Sequence, residues 1–121
     1  MIGTKGKKQR LFVYGTLRRG RAHHGRLRGA VFLGGCRTPP RYTLVDLGPC
    51  PALLPGGRTA VPGEVYDVGR RLLARLDRFE GPEYCRRRIP TPYGEAWVYV
   101  YCRRPGLVPR RRPGPWRPRG L

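Results

Sequence analysis

The sequence predicts a compact β-barrel or α+β fold, and three observations carry that reading. Short apolar and aromatic runs recur between glycine and proline clusters, as strands do. A single stretch has helical periodicity. Strands and helices do not alternate, which argues against a doubly wound parallel sheet. At 121 residues the chain holds one domain with one modest core.

Residues 1–10 form a basic, glycine-containing lead without periodicity, read as disordered. Leu11-Phe12-Val13-Tyr14 reads as a first strand stopped by Gly15, and 18–29, rich in Arg, Gly and His, as a loop. Ala30 to Leu33 is a second strand closed by Gly34-Gly35, and Tyr42 to Val45 a third. The segment Gly48 to Gly57 is punctuated by proline and glycine and reads as irregular. Gly63 to Val68 alternates as a fourth strand.

From Arg70 to Glu80, apolar residues fall at 72, 73, 76 and 79, which is helical spacing. Asp67 or Gly69 starts this helix and Gly81-Pro82 stops it. Arg86 to Pro90 and Ala96 to Cys102 are two further strands joined through Thr91-Pro92-Tyr93-Gly94. Trp97, Tyr99 and Tyr101 share one face of the last strand; Val98, Val100 and Cys102 share the other. The domain is expected over 11–104, and 105–121 is a Pro/Arg-rich flexible tail that cannot pack a core.

Two places could carry chemistry. A strand that ends at Gly15 and turns sharply leaves the backbone N–H groups of Tyr14-Gly15-Thr16-Leu17 aimed outward, a nest suited to a carboxylate or a developing oxyanion. A plain strand-to-loop turn accounts for the same residues. Glu80 lies two helical turns after Leu73, at the edge of the apolar face and at the helix C-terminus. Desolvation and the helix dipole both raise a carboxyl pKa there. The alternative is a surface glutamate paired with one of the many arginines. Asp77 is expected to pair with arginine or cap locally, Glu64 and Asp67 to pair with arginine, and Glu95 to stand in solvent.

His23-His24 has no third ligand at metal-binding spacing. Nor is there a Walker loop, a dinucleotide fingerprint or a Gly-x-Ser-x-Gly, so neither metal nor cofactor is implied. Cys36, Cys50, Cys85 and Cys102 show no C-x-x-C pair and are expected as buried free thiols. The N-terminus lacks the apolar stretch of a signal peptide and no run approaches membrane-spanning length, so the chain is expected in the cytoplasm without membrane contact.

The net charge is +19, and Arg outnumbers Lys 23 to 3. Such a surface attracts polyanions, nucleic acid included, whatever the fold. A GC-rich genome would give the same composition.

The run Leu11-Phe12-Val13-Tyr14-Gly15-Thr16-Leu17-Arg18-Arg19-Gly20 resembles the start of the gamma-glutamylcyclotransferase-like superfamily. So do Gly63 to Val68, Leu76-Asp77-Arg78-Phe79-Glu80-Gly81 leading to Tyr84 and Arg86, and Thr91 to Tyr101, this last similar to small bacterial members of the gamma-glutamylamine cyclotransferase branch. The resemblance covers 11–104. It implies a small mixed β-barrel with short flanking helices, and an enzyme that cyclises the glutamyl group of a γ-glutamyl amine or related compound to 5-oxoproline, releasing the amine. It implies that the Tyr14–Leu17 loop and Tyr84 hold the substrate and that Glu80 moves the proton. Some relatives carry their glutamate nearer the following tyrosine, so Glu83 is the alternative. Cys50 stands where relatives often carry an aromatic residue. A non-catalytic binding module for an acidic small molecule and a basic nucleic-acid-associating protein are the other readings.

Overall fold

The computed structural model describes residues 9–46 and 51–102. Among these residues seven strands, one α-helix and one short 3-10 turn follow one another: β1 (Gln9–Val13), the 3-10 turn (His24–Leu27), β2 (Val31–Arg37), β3 (Tyr42–Asp46), β4 (Pro51–Pro55), β5 (Pro62–Val68), α1 (Arg70–Glu80), β6 (Tyr84–Ile89) and β7 (Ala96–Tyr101). Five strands form one sheet in the order β2-β5-β1-β7-β6, and β3 and β4 pair as a separate hairpin. Among the described residues the mixed α+β fold is therefore two sheets, with no continuous ladder closing them into a barrel.

β1 lies at the centre of the larger sheet. It runs antiparallel to β5, Phe12 opposite Val65, and parallel to β7, Phe12 beside Val98. Its strict alternation divides the core. Leu11 and Val13 point to the helix side, where they meet Leu72, Leu73 and Leu76 of α1 with Tyr66, Val68 and Tyr99. Phe12 points the other way, toward Val65, Val98 and Val100 and the hairpin residues Leu44 and Leu53. Each of the three helix leucines is almost fully buried, and burying such a side chain contributes about 1.5–3 kcal/mol. That packing, more than helix propensity, holds an eleven-residue helix in place. Gly69 and Gly81 bound it, and Gly81 takes φ 91° with ψ 175°, a positive-φ extended conformation essentially restricted to glycine.

Several expectations are corrected. β1 begins at Gln9, so the last two residues of the basic lead are paired strand; residues 1–8 and the 105–121 tail lie outside the described residues. Gly34-Gly35 does not close β2. The strand continues to Arg37 through a register shift between Phe32 and Gly34, and a side chain at Gly34 would meet the Tyr93 hydroxyl. The segment read as irregular contains β4, whose Pro51 and Pro55 sit at the strand ends opposite Asp46 and Tyr42, where proline is tolerated. The loop over 18–29 contains the 3-10 turn. Tyr101 packs with Val45 and Ala52, apart from Trp97 and Tyr99. Cys36 and Cys85 are half-buried and Cys102 is exposed, all three as free thiols; Cys50 lies outside the described residues. No helix among the described residues is long and apolar enough to cross a membrane.

Candidate active site

At the C-terminal end of β1 the chain passes through Tyr14-Gly15-Thr16-Leu17 and borders a cavity of about 270 Å³. Phe79 and Glu80 close it from the end of α1, Tyr84 and Tyr99 from β6 and β7, Pro51 from β4 and His23 from the loop. The topology explains the convergence. β1 and β7 are parallel neighbours, and the helix crossing their face ends where the β1 loop starts.

The loop is held from several sides. The Gly15 carbonyl accepts from both the Arg18 backbone N–H and the Arg18 Nε, each at 3.1 Å. The Arg19 N–H donates to Glu64 Oε1 at 2.9 Å, and the Tyr66 hydroxyl donates to that same oxygen at 3.0 Å. His23 N–H donates to the Thr16 carbonyl, and its ring Nδ1 lies 2.8 Å from Thr16 Oγ1. His24 Nδ1 donates to the Leu17 carbonyl at 2.9 Å. These bonds consume carbonyls and side chains. The N–H groups of Thr16 and Leu17 take no partner among the described residues, leaving two fixed donors beside the cavity.

Tyr14 divides its roles. Its backbone belongs to the loop, while its buried hydroxyl donates to the Tyr99 carbonyl at 2.9 Å and accepts from the Leu53 N–H at 3.1 Å. The phenol thus joins β7 and β4 to the start of the loop.

Among the described residues that line the cavity, Glu80 is the one carboxylate. It makes no hydrogen bond or ion pair to a described residue, and burial pushes its pKa up from 4.5 to about 7. An arginine partner would reverse that effect. Arg86 grips Asp77, one helical turn before Glu80, through Nε at 3.0 Å and Nη2 at 3.2 Å. The Tyr99 hydroxyl donates to Asp77 Oδ1 at 2.7 Å, and burial, then this bond, hold the phenol well above its usual pKa. Asp77 is thereby neutralised one helical turn from Glu80. A lone carboxyl with a pKa near 7 can take a proton and return it at neutral pH.

Glu83 is not among the cavity-lining residues. Its backbone carbonyl accepts from the Cys102 N–H at 2.8 Å, and its side chain folds back over Gly81, 3.2 Å from where a β-carbon there would lie. Glu64 is engaged by Arg19 N–H and Tyr66 in place of the arginine side chain expected for it. Asp67 faces Arg10 at 3.9 Å and Glu95 faces Arg88 at 3.1 Å on the surface. Among the described residues no group of three or more His, Cys, Asp or Glu is placed to hold a metal.

The sequence reading missed His23, Phe79, Tyr99 and Pro51 as cavity walls. His23 invited a metal reading because it neighbours His24, yet its ring packs edge-on against Phe79 at 5.1 Å and braces Thr16. Tyr99 was legible only as an alternating strand residue.

Comparison with known proteins gives one answer. The family model described as gamma-glutamyl cyclotransferase, AIG2-like, matches residues 11–118. The gamma-glutamylcyclotransferase family protein YtfP of Escherichia coli K12 is 45% identical over 96 residues, 78% of this chain and 83% of the relative. Gamma-glutamylaminecyclotransferase B of Danio rerio is 39% identical over 110 residues, 74% of this chain and 58% of that protein. An uncharacterised protein from Pyrococcus horikoshii superposes with a TM-score of 0.73 at 30% identity, covering 86% of this chain and 85% of its own.

Proposed function

The chain belongs to the AIG2-like gamma-glutamyl cyclotransferase family, and from that premise we propose that it cyclises the glutamyl group of a γ-glutamyl amine or related compound to 5-oxoproline and releases the amine. The observation that carries the reading is Glu80: a solitary carboxyl with a pKa near 7, in the same cavity as the free N–H donors of the Thr16-Leu17 turn.

Glu80 takes a proton from the substrate's α-ammonium. The freed amine nitrogen attacks the γ-carbonyl carbon of the same molecule, closing a five-membered ring. Negative charge gathers on the carbonyl oxygen, and the turn's N–H groups are donors already fixed for it. Glu80 then returns its proton to the leaving nitrogen, the bond from the γ-carbon to that nitrogen breaks, the ring nitrogen gives its second proton to the released amine, and 5-oxoproline and the amine, now an ammonium, depart. Nucleophile and electrophile belong to one molecule, so the protein's work is to fold the substrate chain and exclude water. Phe12, Phe79 and Tyr99 give the cavity the apolar walls this needs.

The test is release of 5-oxoproline from a panel of γ-glutamyl compounds, wild type beside Glu80→Gln. Release by the wild type alone is expected. Equal release by both proteins would remove Glu80 from the chemistry and turn attention to Glu83.

A further inference from the structure

We propose that the outer face of α1, with the arginine-lined grooves on either side of it, binds the phosphate backbone of a single-stranded nucleic acid. The surface shares only the Phe79 ring with the Glu80 cavity and uses neither Glu80 nor the Thr16-Leu17 turn, so it does not rest on the reaction proposed there.

Arg71, Arg75 and Arg78 are exposed at i, i+4 and i+7, one stripe along the helix, and Arg70 is exposed beside them. Like charges four residues apart destabilise a helix by a few tenths of a kcal/mol. Arginines in the first turn also oppose the helix dipole, and no acid stands there to offset them. Of the two acids in α1, Asp77 is taken by Arg86 and Glu80 lines the cavity. None of the four helix arginines has an ion pair to a described residue. The stripe is therefore a standing electrostatic cost that an anion lying along it would relieve.

The flanks extend the charge. On one side Arg26, Arg28 and Arg75 line a groove of about 340 Å³, with Arg26 stacked 3.9 Å above the Phe79 ring. On the other, Arg70, Arg86 and Arg88 line a groove of about 320 Å³ together with Asp77; Arg86 and Arg88, stacked on Trp97 at 4.6 and 4.5 Å, are engaged by Asp77 and Glu95, so Arg70 is the cation that groove offers to a phosphate. Stacking fixes guanidinium planes, and the guanidinium fork matches phosphate oxygens. A linear anion with regularly repeated charge can seat a phosphate in each groove and cross the stripe between them. The surface does not suit a lipid bilayer, because the exposed large apolar residues among those described, Val31 and Phe32, lie on β2.

The test is fluorescence anisotropy of a labelled oligouridylate with the full chain, across a salt series. The triple variant Arg71→Gln, Arg75→Gln, Arg78→Gln is expected to weaken binding at least tenfold at low salt. It should also flatten the log K against log salt slope by about 2, since each single-strand phosphate contact contributes about 0.7. The triple Arg37→Gln, Arg41→Gln, Arg58→Gln removes the same charge away from α1 and is expected to stay within about twofold. Should the helix variant melt early, Arg26→Gln with Arg28→Gln reads one groove from outside the helix, with a slope change of about 1.4. Glu80→Gln should bind as wild type. Equal losses in the two triples would reduce the effect to net charge, and unchanged binding in the helix triple would place it elsewhere on the chain. Displacement by poly-glutamate as effective as by unlabelled oligouridylate would replace phosphate with carboxylate. Each of these outcomes overturns the proposal.

Discussion

Replacing Glu80 with glutamine should make the protein more stable at alkaline pH while abolishing turnover. Burial favours the neutral acid in the folded state, raising the pKa from 4.5 to about 7. This group's contribution to stability is therefore fully present below pH 4.5 and is lost as pH rises through about 7. At about 1.36 kcal/mol per pKa unit the loss has a ceiling of about 3 kcal/mol. Partial solvent access to the carboxyl brings the expected figure nearer 1–2 kcal/mol. Glutamine keeps the size and polarity of the protonated acid and never acquires the charge. Wild type and variant should thus unfold alike near pH 4.5, whereas at pH 8 the variant should be about 1–2 kcal/mol more stable. A gain of that size raises Tm by several degrees in a domain of this length. Urea unfolding at both pH values measures the difference directly. Parallel stability–pH curves for the two proteins would refute the claim that Glu80 is desolvated and unpaired, and with it the case for its proton-carrying role.

The same group sets the pH dependence of catalysis: kcat/KM on a γ-glutamyl substrate should rise with pH through a midpoint near 7, and a flat profile across that range would contradict it. Tyr14→Phe removes the phenol oxygen that accepts from Leu53 N–H and donates to the Tyr99 carbonyl; leaving those buried groups unpaired should cost about 1–3 kcal/mol in urea unfolding, and a loss below about 0.5 kcal/mol would show that they find other partners. Gly63→Ala places a methyl against the Val13 carbonyl and the Phe12 ring, so a loss of at least about 2 kcal/mol is expected, with wild-type melting counting against the close strand approach. Asp77→Asn keeps an acceptor for the Tyr99 hydroxyl but ends the ion pair with Arg86; a cost of about 0.5–2 kcal/mol by chemical denaturation is expected, and no change would assign the pair no net worth.

What the sequence determined by itself is whatever depends on local pattern. The span Arg70–Glu80 followed from apolar spacing and flanking glycines, and the structure begins and ends the helix there. The apolar run 11–14 and the alternation in 63–68 marked strands before any partner was known. Glu80's position at a helix end, seven residues after Leu73, left two readings, a desolvated carboxyl and a surface glutamate paired with arginine, and burial in the fold decides for the first. Other properties belong to no single segment. β4 was hidden by its prolines, which a strand accepts only at ends that tertiary pairing defines. β2 ran past two glycines because β5, far along the chain, pairs through them, Gly34 with Val65 and Gly35 with Glu64. His23 and Tyr99 became cavity walls through contacts across the fold, the former with Thr16 and Phe79, the latter with Asp77. The choice between Glu80 and Glu83 as cavity carboxylate lay likewise beyond local pattern. Both flank the same Gly81-Pro82 turn, and only the packing of α1 against β1 and β7 directs one into the cavity while the other folds back over glycine. Periodicity records how a segment meets an interior; which acid meets a cation and which is buried, and so keeps a raised pKa, is decided by groups that only folding brings together.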